Sequence, residues 1–467
     1  MYSITHPQRS TMTSISPRRR LLGGAVGTFV EWYDFLIYGL SAPVLAVHFF
    51  PEASAAAGIV STFAIYAVAF LARPIGGVYF GRIGDRLGRI KTLGLIVLLM
   101  GGATTLLGLL PTFATIGILA PLLLLLCRVV QGFSAGGETS GATAYIIESA
   151  PSDRRAFWVS FCVAGSWAPI VIASGVIFGL RAGLGDEAYM SWGWRIPFLL
   201  GGLLAVVGLW LRRRLDDPEE FVEASRAPRD PHLLRTALTR HWRAIVTVML
   251  LVAVQGVGAY LLLSYMYSYL VTVAGMTPTS ALLANSLGVA SMAVLILPAG
   301  RLSDRVGRRR VMFAGAVWLA VASWPAMTLA SSGGFGSAVG GQLLIAVGVA
   351  LFSAGGFVTM AELFSTSMRF TGHAIGYNVG YAIFGGTTPL IAAALVAITG
   401  SAVAPAFYVI LIAALGVVVV GLIPETKGVR LRDAGEASHP DADNVSSTAS
   451  PSAGPEPMVG RADTRSV

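Results

Sequence analysis

Long apolar runs, broken by short polar or basic segments, set the pattern of this chain. About twelve of these runs can cross the ~30 Å hydrocarbon core of a bilayer at about 1.5 Å per helical residue. They lie near 21–50, 59–81, 90–111, 113–148, 156–183, 193–212, 243–274, 279–300, 310–330, 336–363, 371–399 and 402–423. The pattern predicts an all-α membrane protein of twelve transmembrane helices, the fourth projecting beyond the bilayer at its inner end. An even number of crossings puts both termini on one side.

Composition supports this reading. The 467 residues are 55% hydrophobic and 12% charged, with a mean hydropathy of +0.71, far from the balance of a soluble domain. Of the 33 Lys and Arg residues, all but Arg73, Arg128, Arg181 and Arg195 fall in the tails or in alternate loops. That asymmetry predicts a multi-pass protein of the cell inner (plasma) membrane with both tails and the basic loops in the cytoplasm. Insertion topology and anionic headgroups account for the net charge of +9, so no nucleic-acid partner is expected. Arg18–Arg20 followed by Leu21 and Leu22 has the look of an export signal. The apolar run is too long for one, carries Glu31 and Asp34, and precedes eleven further spans, so it reads as an uncleaved first helix.

The chain repeats itself. Gly81-Arg-Ile-Gly-Asp85-Arg86-Leu-Gly88-Arg89 recurs 219 residues later as Gly300-Arg-Leu-Ser-Asp304-Arg305-Val-Gly307-Arg308. Glu148 and Arg155, seven apart, recur as Glu362 and Arg369. Two six-helix bundles follow, 21–212 and 243–423, joined by a cytoplasmic linker over 213–242 and flanked by a tail at 1–20 and a disordered tail at 424–467. Such a twofold repeat is the mark of a transporter with its site between the halves.

Charges inside the spans are the candidate chemistry, because a charge at bilayer depth costs at least about 2.5–3.5 kcal/mol and is kept for a purpose. Glu31 and Asp34 share a face of the first helix. Arg128 sits in an apolar run and needs a counter-charge. Asp34 is the inferred partner, with Glu31 alternative or additional, and movement of the arginine would switch the acid between holding and releasing a proton. The bland alternative is a fixed ion pair that only sets helix packing. Arg73, beside Pro74, either snorkels to the surface or faces the cavity, where it would suit a substrate carboxylate. Glu138, amid Gly132, Gly136, Gly137 and Gly141, serves packing or chemistry equally well. In the second half no charge falls between Ile245 and Ala361 outside the 301–310 loop, so polar and aromatic groups must act there. Gln255, Tyr260, Tyr265, Asn285, Gln342, Tyr377, Asn378 and Tyr381 qualify; tyrosines line a quaternary ammonium site or simply pack.

The Gly-x-x-x-Asp-Arg-x-Gly-Arg loop in both halves resembles the signature of the major facilitator superfamily, over essentially the whole chain. Within it, Gly27-Thr28-x-x-Glu31-Trp32-Tyr33-Asp34-Phe35, Arg73-Pro74-x-Gly76-Gly77, Gln131-Gly132-Phe133-x-x-Gly136-Gly137-Glu138 and Ser191-Trp192-Gly193-Trp194-Arg195 resemble the metabolite:proton symporters. That family takes up carboxylates such as oxoglutarate, citrate and shikimate, or zwitterions such as proline and betaine. Proton coupling at Asp34, Glu31 and Arg128, read from the buried charges, fits the resemblance, and the residues at membrane depth give Arg73, Gln131, Glu138, Gln255, Tyr260, Tyr377 and Asn378 as candidates for substrate contact. The resemblance also implies a cytoplasmic gate of Asp85, Arg86, Arg89, Glu148, Arg155, Asp304, Arg305, Arg308, Glu362 and Arg369.

Other driving forces lack their residues. Neither lysine, Lys91 or Lys427, follows a glycine, so the phosphate cradle of an ATP-driven pump is missing. The six histidines do not cluster, and Cys127 and Cys162 lie in apolar stretches, so no metal, cofactor or disulfide framework is expected and no enzyme activity is read. The sequence therefore predicts a monomeric, proton-coupled symporter importing a small organic acid or a zwitterionic osmolyte by alternating access. A sugar or polyol carrier, an efflux or facilitated-diffusion carrier, and a non-transporting sensor are the alternatives. Pro424-Glu425-Thr426-Lys427-Gly428 resembles a motif of sugar porters and keeps the first of these in view.

Overall fold

The structure, a computed structural model, describes residues 17–87, 89–136, 150, 151, 153–212, 238–364 and 366–428. These residues form eleven helices long and apolar enough to span a bilayer and one shorter apolar helix, Leu119–Ala135. In order they are α1 (Pro17–Phe49), α2 (Ala55–Leu87), α3 (Arg89–Leu109), α4 (Leu119–Ala135), α5 (Arg155–Leu184) and α6 (Ile196–Arg212). Then come α7 (Trp242–Thr272), α8 (Pro278–Val306), α9 (Arg308–Ser331) and α10 (Phe335–Glu362). The eleventh, α11, runs over Thr366–Gly380 and resumes at Thr388–Thr399, and α12 covers Ala404–Leu422. Helix is the expected answer where lipid can satisfy no backbone polar group.

The fourth run departs from expectation. A separate turn, Phe113–Ile116, precedes α4, and Gly117 with φ of +59° breaks the chain between them. The predicted projection over 137–148 lies outside the described residues. In α7 a π-turn occupies Leu261–Tyr265, and in α11 another occupies Tyr381–Gly385.

The distribution of side chains is the reverse of a water-soluble protein. Arg128, Gln131, Asn285 and Gln342 are fully buried, while Leu422 and Ile398 are 81% and 82% exposed. A lipid-facing exterior needs apolar side chains, and polar groups must then pair inside.

Helix pairing follows one scheme twice. In the first half α2 packs on α4, α3 on α4 and α6, and α1 on α5 and α6; adding six to each number gives the pairs of the second half. The halves meet through α5 with α8 and, reciprocally, α2 with α11, while α1 lies against α7. The repeat seen in the sequence is thus a twofold pseudo-symmetry of packing. It places α1, α2, α5, α7, α8 and α11 along the seam between the halves.

Candidate functional site

Two buried ion pairs start from one face of α1. Asp34, 1% exposed, receives hydrogen bonds on Oδ1 from the Thr104 hydroxyl of α3 and from Gln131 Nε2 of α4 at 2.7 Å. Its Oδ2 lies 3.6 Å from Arg128, an ion-pair contact too long for a hydrogen bond. Arg128 in turn donates to Gln131 Oε1 at 2.8 Å. Much of its charge is met by aromatic faces, with the guanidinium carbon 4.3 Å from the centre of Tyr38, 5.0 Å from Phe35 and 5.4 Å from Tyr66. Thr104 also approaches the Met100 carbonyl at 2.8 Å, so its single proton has two acceptors to choose between.

Glu31 does not join that pair. One turn away, 3% exposed, it forms its own ion pair with Arg73 of α2. Arg73 therefore does not snorkel to the surface. Only 6% exposed, its guanidinium lies over Phe35 and Phe70 at 4.5 and 4.9 Å. Pro74 helps shape this stretch, since it has no amide to give the Phe70 carbonyl.

Around Glu31 and Arg73 the two halves build an aromatic wall. Tyr260, at the threshold of the π-turn in α7, contacts Phe70 at 5.3 Å, Trp32 at 6.4 Å and Tyr381 of the second π-turn at 5.7 Å between ring centres. Tyr377 adds to it, 4.6 Å from Tyr381. Both π-turns thus present an aromatic ring inward, consistent with the frequency of such turns at functional sites. The carbonyl of Leu262 inside the first turn is taken up by Asn285 at 2.8 Å, which also binds Gln342.

At the end of the molecule carrying the basic loops, charges bridge the halves. Asp304 on α8 accepts from the first-turn amides of α5, Ala156 at 3.0 Å and Phe157 at 2.9 Å, where the helix dipole favours an anion. It also pairs with Arg308 at 3.1 Å. Glu362, 3% exposed, meets Arg155 of α5 at 3.4 Å and Arg308 of α9 at 3.7 Å. Thr426 completes its shell from the C-terminal segment at 2.6 Å. Next to it, Glu425 accepts from the amides of Arg308 and Arg309 at 2.8 and 3.1 Å. Gly307, with φ of +113° and the Glu425 carboxylate where a Cβ would stand, admits only glycine comfortably. At the opposite end Arg181 of α5 pairs with Asp186 and covers the Tyr189 ring at 4.3 Å.

Several expectations change. Glu31 pairs with Arg73 rather than with Arg128, because its turn of α1 faces α2, so the two candidates Glu31 and Arg73 meet in one buried ion pair. Of the other substrate candidates, Asn378 donates to the Ala374 carbonyl of its own helix, and Gln255 is buried with its amide oxygen without a partner among the described residues. Arg305 is exposed and contributes its carbonyl, not its charge, to Lys427. The start of the tail is not free, since Glu425, Thr426 and Lys427 all dock on the α8–α9 junction or on Glu362. Glu138 and Glu148, and the side chains of Asp85, Arg86, Arg89 and Arg369, lie outside the described residues. Thr104 was missed; a threonine pair within an apolar run was its only signal.

A twofold-repeated bundle of twelve helices with charges buried at its centre and bridging its basic end is the architecture of a membrane transporter. Residues 24–296 match the family described as Major Facilitator Superfamily, and residues 218–437 match the one described as Sugar (and other) transporter. The chain belongs to the major facilitator superfamily. It is 34% identical to the proline/betaine transporter of Salmonella typhimurium over 90% of this chain and 86% of that protein. To the shikimate transporter of Escherichia coli it is 36% identical, over 84% and 91% of the respective chains. Among solved structures, the partially occluded inward-open xylose transporter XylE of E. coli superposes with a TM-score of 0.69 at 18% identity, covering 88% of this chain and 99% of that one. That likeness is one of fold.

Proposed function

We propose that the protein imports a small zwitterion or carboxylate together with a proton across the inner membrane, with Asp34 as the proton site and Glu31 with Arg73 as the cargo site. The observation that carries this reading is the division of labour on α1. Three residues apart, Asp34 is enclosed by α3 and α4 of one half, whereas Glu31 and Arg73 face an aromatic wall contributed by both. A proton site is best held within one rigid half. A cargo site must lie where the halves part.

The chemistry of each fits. Asp34 has one fully bonded oxygen and one held only by a long ion pair, so a proton can be added to Oδ2 without breaking a hydrogen bond. Thr104 can then turn its O–H to Met100. Protonation weakens the hold on Arg128, whose remaining partners are Gln131 and three rings. At the second pair, a cargo with both charges replaces the mutual pairing of Glu31 and Arg73: its carboxylate takes the arginine, and its cation takes the glutamate and the tyrosine faces. The relatives that carry proline and betaine support a zwitterion, and the shikimate relative supports a carboxylate. A neutral sugar would leave both charges facing each other.

The two bundles, 21–212 and 243–423, rock about this site, with the Asp304–α5 and Arg155–Glu362 contacts closing the cytoplasmic side and both termini in the cytoplasm. A monomer contains every group invoked. Proteoliposomes with an imposed pH gradient test the reading: betaine, proline or shikimate accumulates when the outside is acid, and Arg73→Gln raises the half-saturating concentration at least tenfold. Accumulation that ignores the gradient, or uptake untouched by Arg73→Gln, contradicts it.

A further inference from the structure

One polar group beside the aromatic wall has no assigned work. His373 of α11 is 5% exposed, and its ring stacks on Tyr377 with centres 5.3 Å apart and planes 29° from parallel. Its Nε2 is buried and has no hydrogen-bond partner among the described residues. A buried nitrogen left in that state is unfavourable and calls for an explanation. Its surroundings offer one. His373, Tyr377 and Tyr381 follow at intervals of four along α11, so they form one ladder on one helix face. The ladder continues through Tyr381 to Tyr260, and from there to Phe70, which lies beneath Arg73. No Asp, Glu, Lys or Arg occurs from Thr371 to Ile423, so His373 stands in a charge-free stretch of the second half.

We propose that His373 is a substrate-contacting residue that sets specificity, its Nε2 hydrogen-bonding an oxygen of the cargo on the side of Tyr377 away from Tyr381. The proposal rests on the reading of Glu31 and Arg73 as the cargo site. An imidazole nitrogen donates or accepts according to tautomer, so it suits a carboxylate oxygen or a hydroxyl. Stacking on Tyr377 fixes the plane of the ring, and Nε2 lies in that plane. A ring that served packing alone would need no nitrogen at this place.

Two variants separate these roles. His373→Phe keeps the ring and the stack and removes the nitrogen; His373→Gln gives up the stack and carries an amide to about the position of Nε2. Each is reconstituted beside the unaltered protein, and the half-saturating concentration is measured by counterflow for radiolabelled betaine, proline and shikimate. For at least one of the three, His373→Phe is expected to raise it on the order of tenfold with little change in maximal rate, and His373→Gln to restore it to within about threefold, the size of one hydrogen bond. An unchanged value in His373→Phe for all three, or a His373→Gln variant no better than His373→Phe, overturns the proposal. Arg73→Gln in the same assay keeps the two ideas apart. If it shifts the value and His373→Phe does not, only the role of His373 falls. If His373→Phe shifts it and Arg73→Gln does not, the cargo site has been misplaced and His373 stands.

Discussion

A buried charge is most damaging when its partner is taken away, and the Asp34–Arg128 pair makes that measurable. Arg128 is wholly enclosed, so Arg128→Leu strands the Asp34 carboxylate and is expected to cost about 3–5 kcal/mol, the usual penalty for halving a buried pair. The double variant Arg128→Leu with Asp34→Asn should recover much of the loss. Thermal unfolding in detergent, run as a double-mutant cycle, checks both, and additive losses would mean that the two groups do not interact. At this scale the sequence was informative about need and less so about matching. An arginine in the apolar run of α4 demands a carboxylate, which pointed to α1. Two acids three residues apart and two arginines, however, admit more than one assignment. Only the rotation of α1 between α2 on one side and α3 with α4 on the other decides that Glu31 takes Arg73.

Between elements, backbone proximity fixes where Arg73 stands. A Cβ on Gly132 would run into the Ala69 carbonyl, one on Gly136 into the Arg73 carbonyl, and one on Gly76 into Phe133, so α2 and α4 touch backbone to backbone. Gly132→Ala is therefore expected to destabilise the protein by about 1–3 kcal/mol as an overpacked site. It should also displace Arg73 enough to raise the half-saturating concentration for cargo, whereas Gly102→Ala on α3, which meets no neighbour, should alter neither. Melting temperature and uptake kinetics on the same preparations check this. The cluster of glycines around Glu138 was legible as a place of packing; its partner helix was not. The π-turns were not legible at all, because a run such as Leu261-Leu262-Leu263-Ser264-Tyr265 has the composition of any buried helix. Their effect is large all the same, since they bring Tyr260 of α7 and Tyr381 of α11 together.

For the molecule as a whole, the repeated loop motif and the repeated helix pairings are one fact at two levels, and the repeat could be read directly from the offset of 219 residues between Asp85 and Asp304. The role of the C-terminal segment could not, because charges in a polar tail are ordinarily solvated, and nothing local marks Glu425 and Thr426 as docked. If this network latches the cytoplasmic side, Glu362→Gln loosens it. A cysteine placed at Val159, buried on α5 near Arg155, in a background lacking Cys127 and Cys162, should then react several-fold faster with a membrane-impermeant maleimide applied from the cytoplasmic side. An unchanged rate would make the network structural only. The central claim concerns coupling, with the proton on Asp34 and the cargo on Glu31 and Arg73. Its most direct test is Asp34→Asn in proteoliposomes, with accumulation driven by a pH gradient and exchange of labelled for unlabelled cargo measured on the same vesicles. The account predicts that accumulation falls to the equilibrium level while exchange stays within a few-fold of the unaltered protein; equal loss of both, or accumulation that survives, would contradict it.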